Sequence, residues 1–196
     1  RARLVLLSCG IRCEIREIAL SQKPESMLAV SPKATVPVLV LKDQVLEQSL
    51  DIVQWALQQN DPAAWSTSGS SQHEEALALV QQCDGEFKQH LDRYKYPNRY
   101  ENVDEVEQRT AASAYLMDLD ERLASEPAIS EALSDALFPF VRQFANHDRE
   151  WFDAQPWNHV LAWLTGNLES EAFKVCMKKH KQWFEGDQVV WFPRHD

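Results

Sequence analysis

The chain has 196 residues, 44% of them hydrophobic and 26% charged, enough apolar material for one large domain or two small ones and too much for a disordered chain. Its formal net charge of −10 argues against a nucleic-acid partner, because phosphate binding needs a basic face; the positive patch of Arg93, Lys95 and Arg99 can still serve one local anionic ligand. No apolar run approaches the ~18 residues of a membrane span, and no signal peptide is visible at an N-terminus that lacks an initiator methionine.

The first elements come in chain order. Leu4 to Leu7 reads as the later turns of a helix that Gly10 stops, so residue 1 is expected inside a helix whose beginning is missing. Cys13 to Ile18 alternates polar and apolar, the pattern of a strand. Pro24 opens a short helix running to about Val30. Val36 to Leu41 and Val45-Leu46, separated by Lys42-Asp43-Gln44, form a hairpin. Ser49 to about Gln59 reads as a helix that Asn60-Asp61-Pro62 ends.

Residues 61–72 hold Pro62, Gly69 and a cluster of Ser and Thr, the best linker in the chain. Helical spacing then takes over. Leu77, Val80, Cys83, Phe87, Leu91 and Tyr94 mark one long amphipathic helix closed by Pro97. A second runs from about Val103 to Leu123. Leu137 to Phe144 is nearly all apolar and reads as a central helix, and Trp157 to Leu168 and Glu171 to Trp183 give two more. The expected organisation is therefore an α/β module over 1–60, a linker over 61–72 and an all-helical domain over 73–196.

The strand at 13–18, a helix and the strand at 36–41 make a crossover that sets the two strands side by side or leaves a gap between them. A strand ahead of the first helix would fill such a gap, and the module would then be β-α-β-α-β-β-α with its first strand absent from the chain.

Four cysteines, Cys9, Cys13, Cys83 and Cys176, form no CxxC pair, and no histidine spacing supports a zinc site, so free thiols in a reducing compartment are expected and no metal. Two other features carry chemistry. Pro37 cannot donate a ladder hydrogen bond. It is either an ordinary trans edge proline or the second residue of a cis turn, which would leave the Val36 backbone free to pair with an extended peptide. Ser49, after Gln48, stands where the N-cap of the next helix belongs: it is either a plain cap or part of a carboxylate site at that helix end.

Taken in order, Ser31-Pro32-Lys33-Ala34-Thr35-Val36-Pro37-Val38-Leu39 and Leu46-Glu47-Gln48-Ser49-Leu50-Asp51-Ile52 resemble the N-terminal domain of the glutathione transferases. Asp135-Ala136-Leu137-Phe138-Pro139-Phe140 is similar to that family's central helix, so the resemblance covers nearly the whole chain. It implies a thioredoxin-like module with a valine–cis-proline step, followed by an all-α domain. It implies that Val36, next to Pro37, pairs with the cysteinyl part of glutathione, that Gln48 and Ser49 hold its γ-glutamyl group, and that Lys33 either reaches the glycyl carboxylate or is a solvated loop residue. The helical domain would line a second pocket for the co-substrate, with Tyr94, Tyr96 and Trp191 as candidates.

The chain departs from the pattern in places. Ser31 and Ala34 replace the Asn and Gly common in the family. Ala132 stands where the central helix is usually capped, so either Ser134 caps in a shifted register or the helix tolerates the loss. The catalytic residue is expected upstream of Arg1. The Arg1-Ala2-Arg3-Leu4 opening resembles the residues just after a Cys-Pro-Tyr motif in glutaredoxin-like and omega-like branches, which would make that residue a cysteine. The implied activity is a glutathione-dependent transferase or thiol transferase for a small electrophilic or disulfide substrate, working as a cytoplasmic homodimer with glutathione as co-substrate. The alternative is a non-catalytic protein on the same fold that binds a protein partner.

Overall fold

In the computed structural model, which describes residues 1–61, 71–125 and 129–193, the first apolar run is helix α1, Ala2–Ser8. Leu4, Val5 and Leu6 are buried on it. Gly10 ends it at φ +67°, donating its N–H to the Leu7 carbonyl while Ile11 donates to Leu6. That pair of bonds satisfies the last carbonyls of the helix and needs the left-handed conformation that glycine adopts without strain.

Helix α1 packs on α3, Ser49–Gln59, which buries Ile52, Val53, Ala56 and Leu57. Asn60 closes α3 and its side-chain amide donates to the Cys9 carbonyl at 3.0 Å, tying the ends of the two helices together. Between them in the chain lie β1 (Cys13–Glu14), α2 (Glu25–Val30), β2 (Leu39–Val40) and β3 (Val45–Leu46). β2 and β3 form the expected antiparallel hairpin, Leu39 opposite Leu46 and Val40 opposite Val45.

The strand predicted over 13–18 is shorter. Its partner is β4, Trp191–Phe192, which pairs antiparallel with Cys13 and Glu14 only. Beyond that pair the contact continues as single bonds: Ile15 donates to the Val190 carbonyl and Trp183 donates to the Glu17 carbonyl at 2.7 Å. A strand persists only where a partner supplies its hydrogen bonds. β1 and β2 do not pair with each other, and Ile18, Val36, Val38 and Val40 line a groove in this unit.

Helix α10, Glu171–Met177, stops six residues short of the predicted Trp183. It packs on α1, where the Arg3 guanidinium donates to the Cys176 carbonyl at 3.2 Å and to the Glu17 carboxylate at 2.8 Å. Residues Glu171–Asp196 therefore group with Arg1–Pro62 in one compact unit, and Ala63–Ser170 make the other. The division places the last segment with the N-terminal module rather than with the helices that precede it. Most of the expected linker, 61–72, lies outside the described residues.

The second unit is helical throughout its described residues. α4 (Ser71–Gln82), a π-helical turn (Cys83–Phe87) and α5 (Lys88–Lys95) run on as the expected long helix. α6 (Glu105–Ala124) begins at Asp104, whose carboxylate accepts from the Val106 and Glu107 N–H groups at 2.8 and 3.0 Å. α7 (Glu131–Ala145), α8 (Arg149–Asp153) and α9 (Asn158–Glu169) complete it. α7 is central, as its composition predicts: Leu137, Phe138, Val141 and Phe144 are buried, and the Phe144 ring meets Phe87, Tyr94, Trp151 and Phe152 at centroid distances of 5.2–6.2 Å.

The cap of α7 corrects the sequence-based expectation. Ser130 caps it, its hydroxyl accepting from the Leu133 N–H at 3.2 Å. Ser134 lies inside the helix and is not a cap: its hydroxyl accepts from the Trp163 indole at 2.9 Å and donates to Asn167 at 3.1 Å, fastening α7 to α9.

Ala34 has φ +53°, and its N–H is held by the Ser31 carbonyl. A Cβ in this left-handed region costs of order 1 kcal/mol, so Ala34→Gly is expected to raise stability by about 0.5–1 kcal/mol despite the freer unfolded chain. A rise in the chemical-denaturation midpoint at constant slope is the check; a fall shows that the turn is not strained at this residue.

Candidate functional site

Three segments of the first unit converge on one surface. The first is the turn 31–37. Its anchor is Ser31, fully buried, whose hydroxyl donates to the Glu47 carboxylate at 2.6 Å. The turn leads to Val36-Pro37, whose peptide bond is cis. Val36 is 51% exposed, and among the described residues its backbone N–H and C=O have no partner. Peptide groups so placed can take up hydrogen bonds from an extended ligand.

The second segment is the β3–α3 junction. Glu47, held by Ser31, precedes Gln48, which is extended, exposed and not engaged in a side-chain cap. Ser49 is the first residue of α3 rather than its cap, so the plain capping reading is not realised. The third segment is the start of α1: Arg1 directs its guanidinium to the Ser49 hydroxyl at 3.5 Å. A hydroxyl, an amide and a guanidinium thus stand at the end of α3 where backbone N–H groups are free, a setting that favours a carboxylate. Lys33 projects from the first turn, exposed and without a partner among the described residues.

Val36, Pro37, Gln48, Ser49 and Lys33 were all singled out in the sequence. Arg1, Ser31 and Glu47 were not read as site residues, because nothing local shows that a buried serine reaches a carboxylate 16 positions on. The sequence also missed Trp183 and Met27, which line the apolar groove of about 140 Å³ beside Val36.

The aromatic candidates for a second pocket are scattered. Trp191 is in β4 under the Arg12 guanidinium, 4.6 Å from its ring centre. Tyr94 is 2% exposed in the helical core, edge-on to His147 at 4.3 Å, and burial pushes its hydroxyl pKa up against the opposing effect of Arg109. It is a packing residue. Tyr96 is on the surface of the helical unit.

The thiols fit structural roles. None of the four cysteines is in a disulfide, and Cys9, Cys83 and Cys176 are buried. Burial pushes the Cys13 thiol pKa up, only partly offset by Arg3, so it is held in the unreactive protonated form. Among the described residues no group of His, Cys, Asp and Glu is arranged to hold a metal ion, and no helix is long and apolar enough to cross a membrane.

A small α/β module with a cis-proline turn beside a helix mouth, joined to a helical unit, defines a thioredoxin-like domain with an all-α companion. Residues 1–65 match the family model described as glutathione S-transferase, N-terminal domain. Solved structures share the fold across most of the chain. A glutathione transferase from Methylococcus capsulatus strain Bath is 23% identical, with 90% of each chain covered and a TM-score of 0.68. A glutathione transferase family member from Pseudomonas fluorescens Pf-5, solved with two glutathione bound, is 17% identical, with 88% of this chain and 85% of that chain covered and a TM-score of 0.70. A glutathione S-transferase from Methylobacillus flagellatus KT, solved with glutathione bound, is also 17% identical, with 88% and 90% covered and a TM-score of 0.69. No curated protein matches the chain. Residues 1–65 thus match the N-terminal domain of the glutathione S-transferases, and the chain shares the fold of these solved structures.

Proposed function

We propose that this protein binds glutathione across the three convergent segments and acts as a glutathione-dependent transferase or thiol transferase on a small electrophilic or disulfide substrate. The observation that carries the reading is the pairing of an open Val36 backbone with the Gln48-Ser49 helix mouth, locked together by the Ser31–Glu47 bond. The Val36 peptide group takes the cysteinyl part of the tripeptide. Gln48 and Ser49 take the γ-glutamyl group, and Lys33 is in the turn from which a glycyl carboxylate can be reached. Pro37 keeps its ring at the edge of that turn. The glutathione-bound relatives support the ligand, and the resemblance supports a cytoplasmic homodimer. Four cysteines outside any disulfide accord with a reducing compartment.

Ser49→Ala removes one hydrogen bond to a charged group, which is expected to weaken glutathione binding about tenfold. The Ser49 hydroxyl is not a helix cap, so stability should hardly change. Calorimetric titration of both proteins with reduced glutathione is the measurement. Equal affinities would remove the γ-glutamyl assignment, and no binding by either would remove the ligand.

A further inference from the structure

Outside the glutathione site and independent of it, we infer that the loop closing α5 is a binding site for a small organic oxyanion, a carboxylate or a phosphate ester. In a chain of net charge −10, Arg93, Lys95 and Arg99 fall within seven positions. Five of the described arginines are paired with carboxylates: Arg3 with Glu17, Arg16 with Glu14, Arg109 with Asp148, Arg122 with Glu75 and Arg149 with Asp153. Arg93, Lys95 and Arg99 have no carboxylate partner among the described residues, and neighbouring Asp92 and Glu101 do not pair with them.

The three are held in place by aromatic rings and an amide instead. The Arg99 guanidinium lies 4.0 Å from the centre of the Tyr96 ring and the Lys95 ammonium 5.0 Å from the same ring. Arg93 lies 5.5 Å from the centre of the Tyr100 ring. The Lys95 ammonium also donates to Gln143 at 3.0 Å. Tyr96 and Tyr100 are 38% and 41% exposed, Arg99 is exposed, and Arg93 and Lys95 are half-buried, so each cation is within reach of solvent.

The negative end of α5 accounts for cations at Arg93 and Lys95 in its last turn. It does not call for Arg99, which ends the 3₁₀ turn Pro97–Arg99 and adds a like charge at the same ring. Crowding like charges without counter-charge is unfavourable in the free protein, and an arriving oxyanion relieves it. Guanidinium groups stacked on rings keep their N–H edges free and pre-set, the form in which arginine grips a carboxylate or phosphate by two hydrogen bonds. The site is positive within an acidic molecule, so it selects ligand charge rather than ligand shape.

The test is calorimetric titration of the whole chain with phenyl phosphate, and with phenol as the neutral counterpart. Saturable binding of phenyl phosphate alone is expected, weakened about tenfold between low and high salt as screening takes hold. The double variant Arg93→Gln/Arg99→Gln should bind at least tenfold more weakly, while Arg149→Gln, whose partner is Asp153, should bind as the parent does. The far-ultraviolet spectrum checks that the double variant is folded. No saturable binding, equal binding of phenol, or an unchanged double variant would overturn the assignment.

Discussion

Phe144→Ala is expected to lower the stability of the helical unit by about 3–5 kcal/mol, the usual cost of emptying a large aromatic site in a core that relaxes only in part. Phe144 is 1% exposed, and its ring is the hub at which Phe87, Tyr94, Trp151 and Phe152 meet. The loss has two sources: transfer of the ring out of an apolar surround, and the void that four rigid neighbours cannot close. Phe144→Leu, which keeps most of the volume, should recover more than half of it. Urea unfolding followed by circular dichroism reads both variants. A cost below about 1 kcal/mol for the alanine variant would mean that the ring cluster closes over the void.

Ser31→Ala is expected to cost about 1–2 kcal/mol, since a fully buried hydroxyl loses a bond to a carboxylate that water reaches only in part. Its second effect is on the ligand. The bond joins the turn that carries Val36 to the residue before Gln48, so without it the two halves of the glutathione site are no longer fixed to one another. Glutathione affinity should fall several-fold in a protein that is still folded, whereas Ser49→Ala lowers affinity with little change in stability. Thermal unfolding and glutathione titration on the same samples separate the two. A variant that loses stability and keeps full affinity would show that Ser31 serves the fold alone.

Much of this architecture was legible in the residues. Gly10 announced the end of α1, Ser49 and Asn60 bracketed α3 to the residue, and the spacing from Leu77 to Tyr94 gave the long helix of the second unit. These signals are local: a helix period, a glycine that tolerates positive φ, a turn. What the sequence concealed is non-local. The pairing of Cys13-Glu14 with Trp191-Phe192 joins segments about 178 positions apart and leaves no mark on either. The α7 cap was expected either at Ser134 in a shifted register or to be lost at Ala132, and it lies at Ser130, because neighbouring serines look alike until the start of the helix is set. At the candidate site the conspicuous residues were readable from their order, while Ser31, Glu47 and Arg1 emerge only when separate segments meet.

The pairing of β1 with β4 also bears on how the molecule is made. The edge of the first module accepts residues from beyond the helical unit, with all of that unit in between. During synthesis every residue of the helical unit is translated before the strand for which that edge waits. The piece that closes the first module is therefore translated after the whole of the second, and a chain cut near residue 180 would contain every residue of the second unit and lack the strand that completes the first.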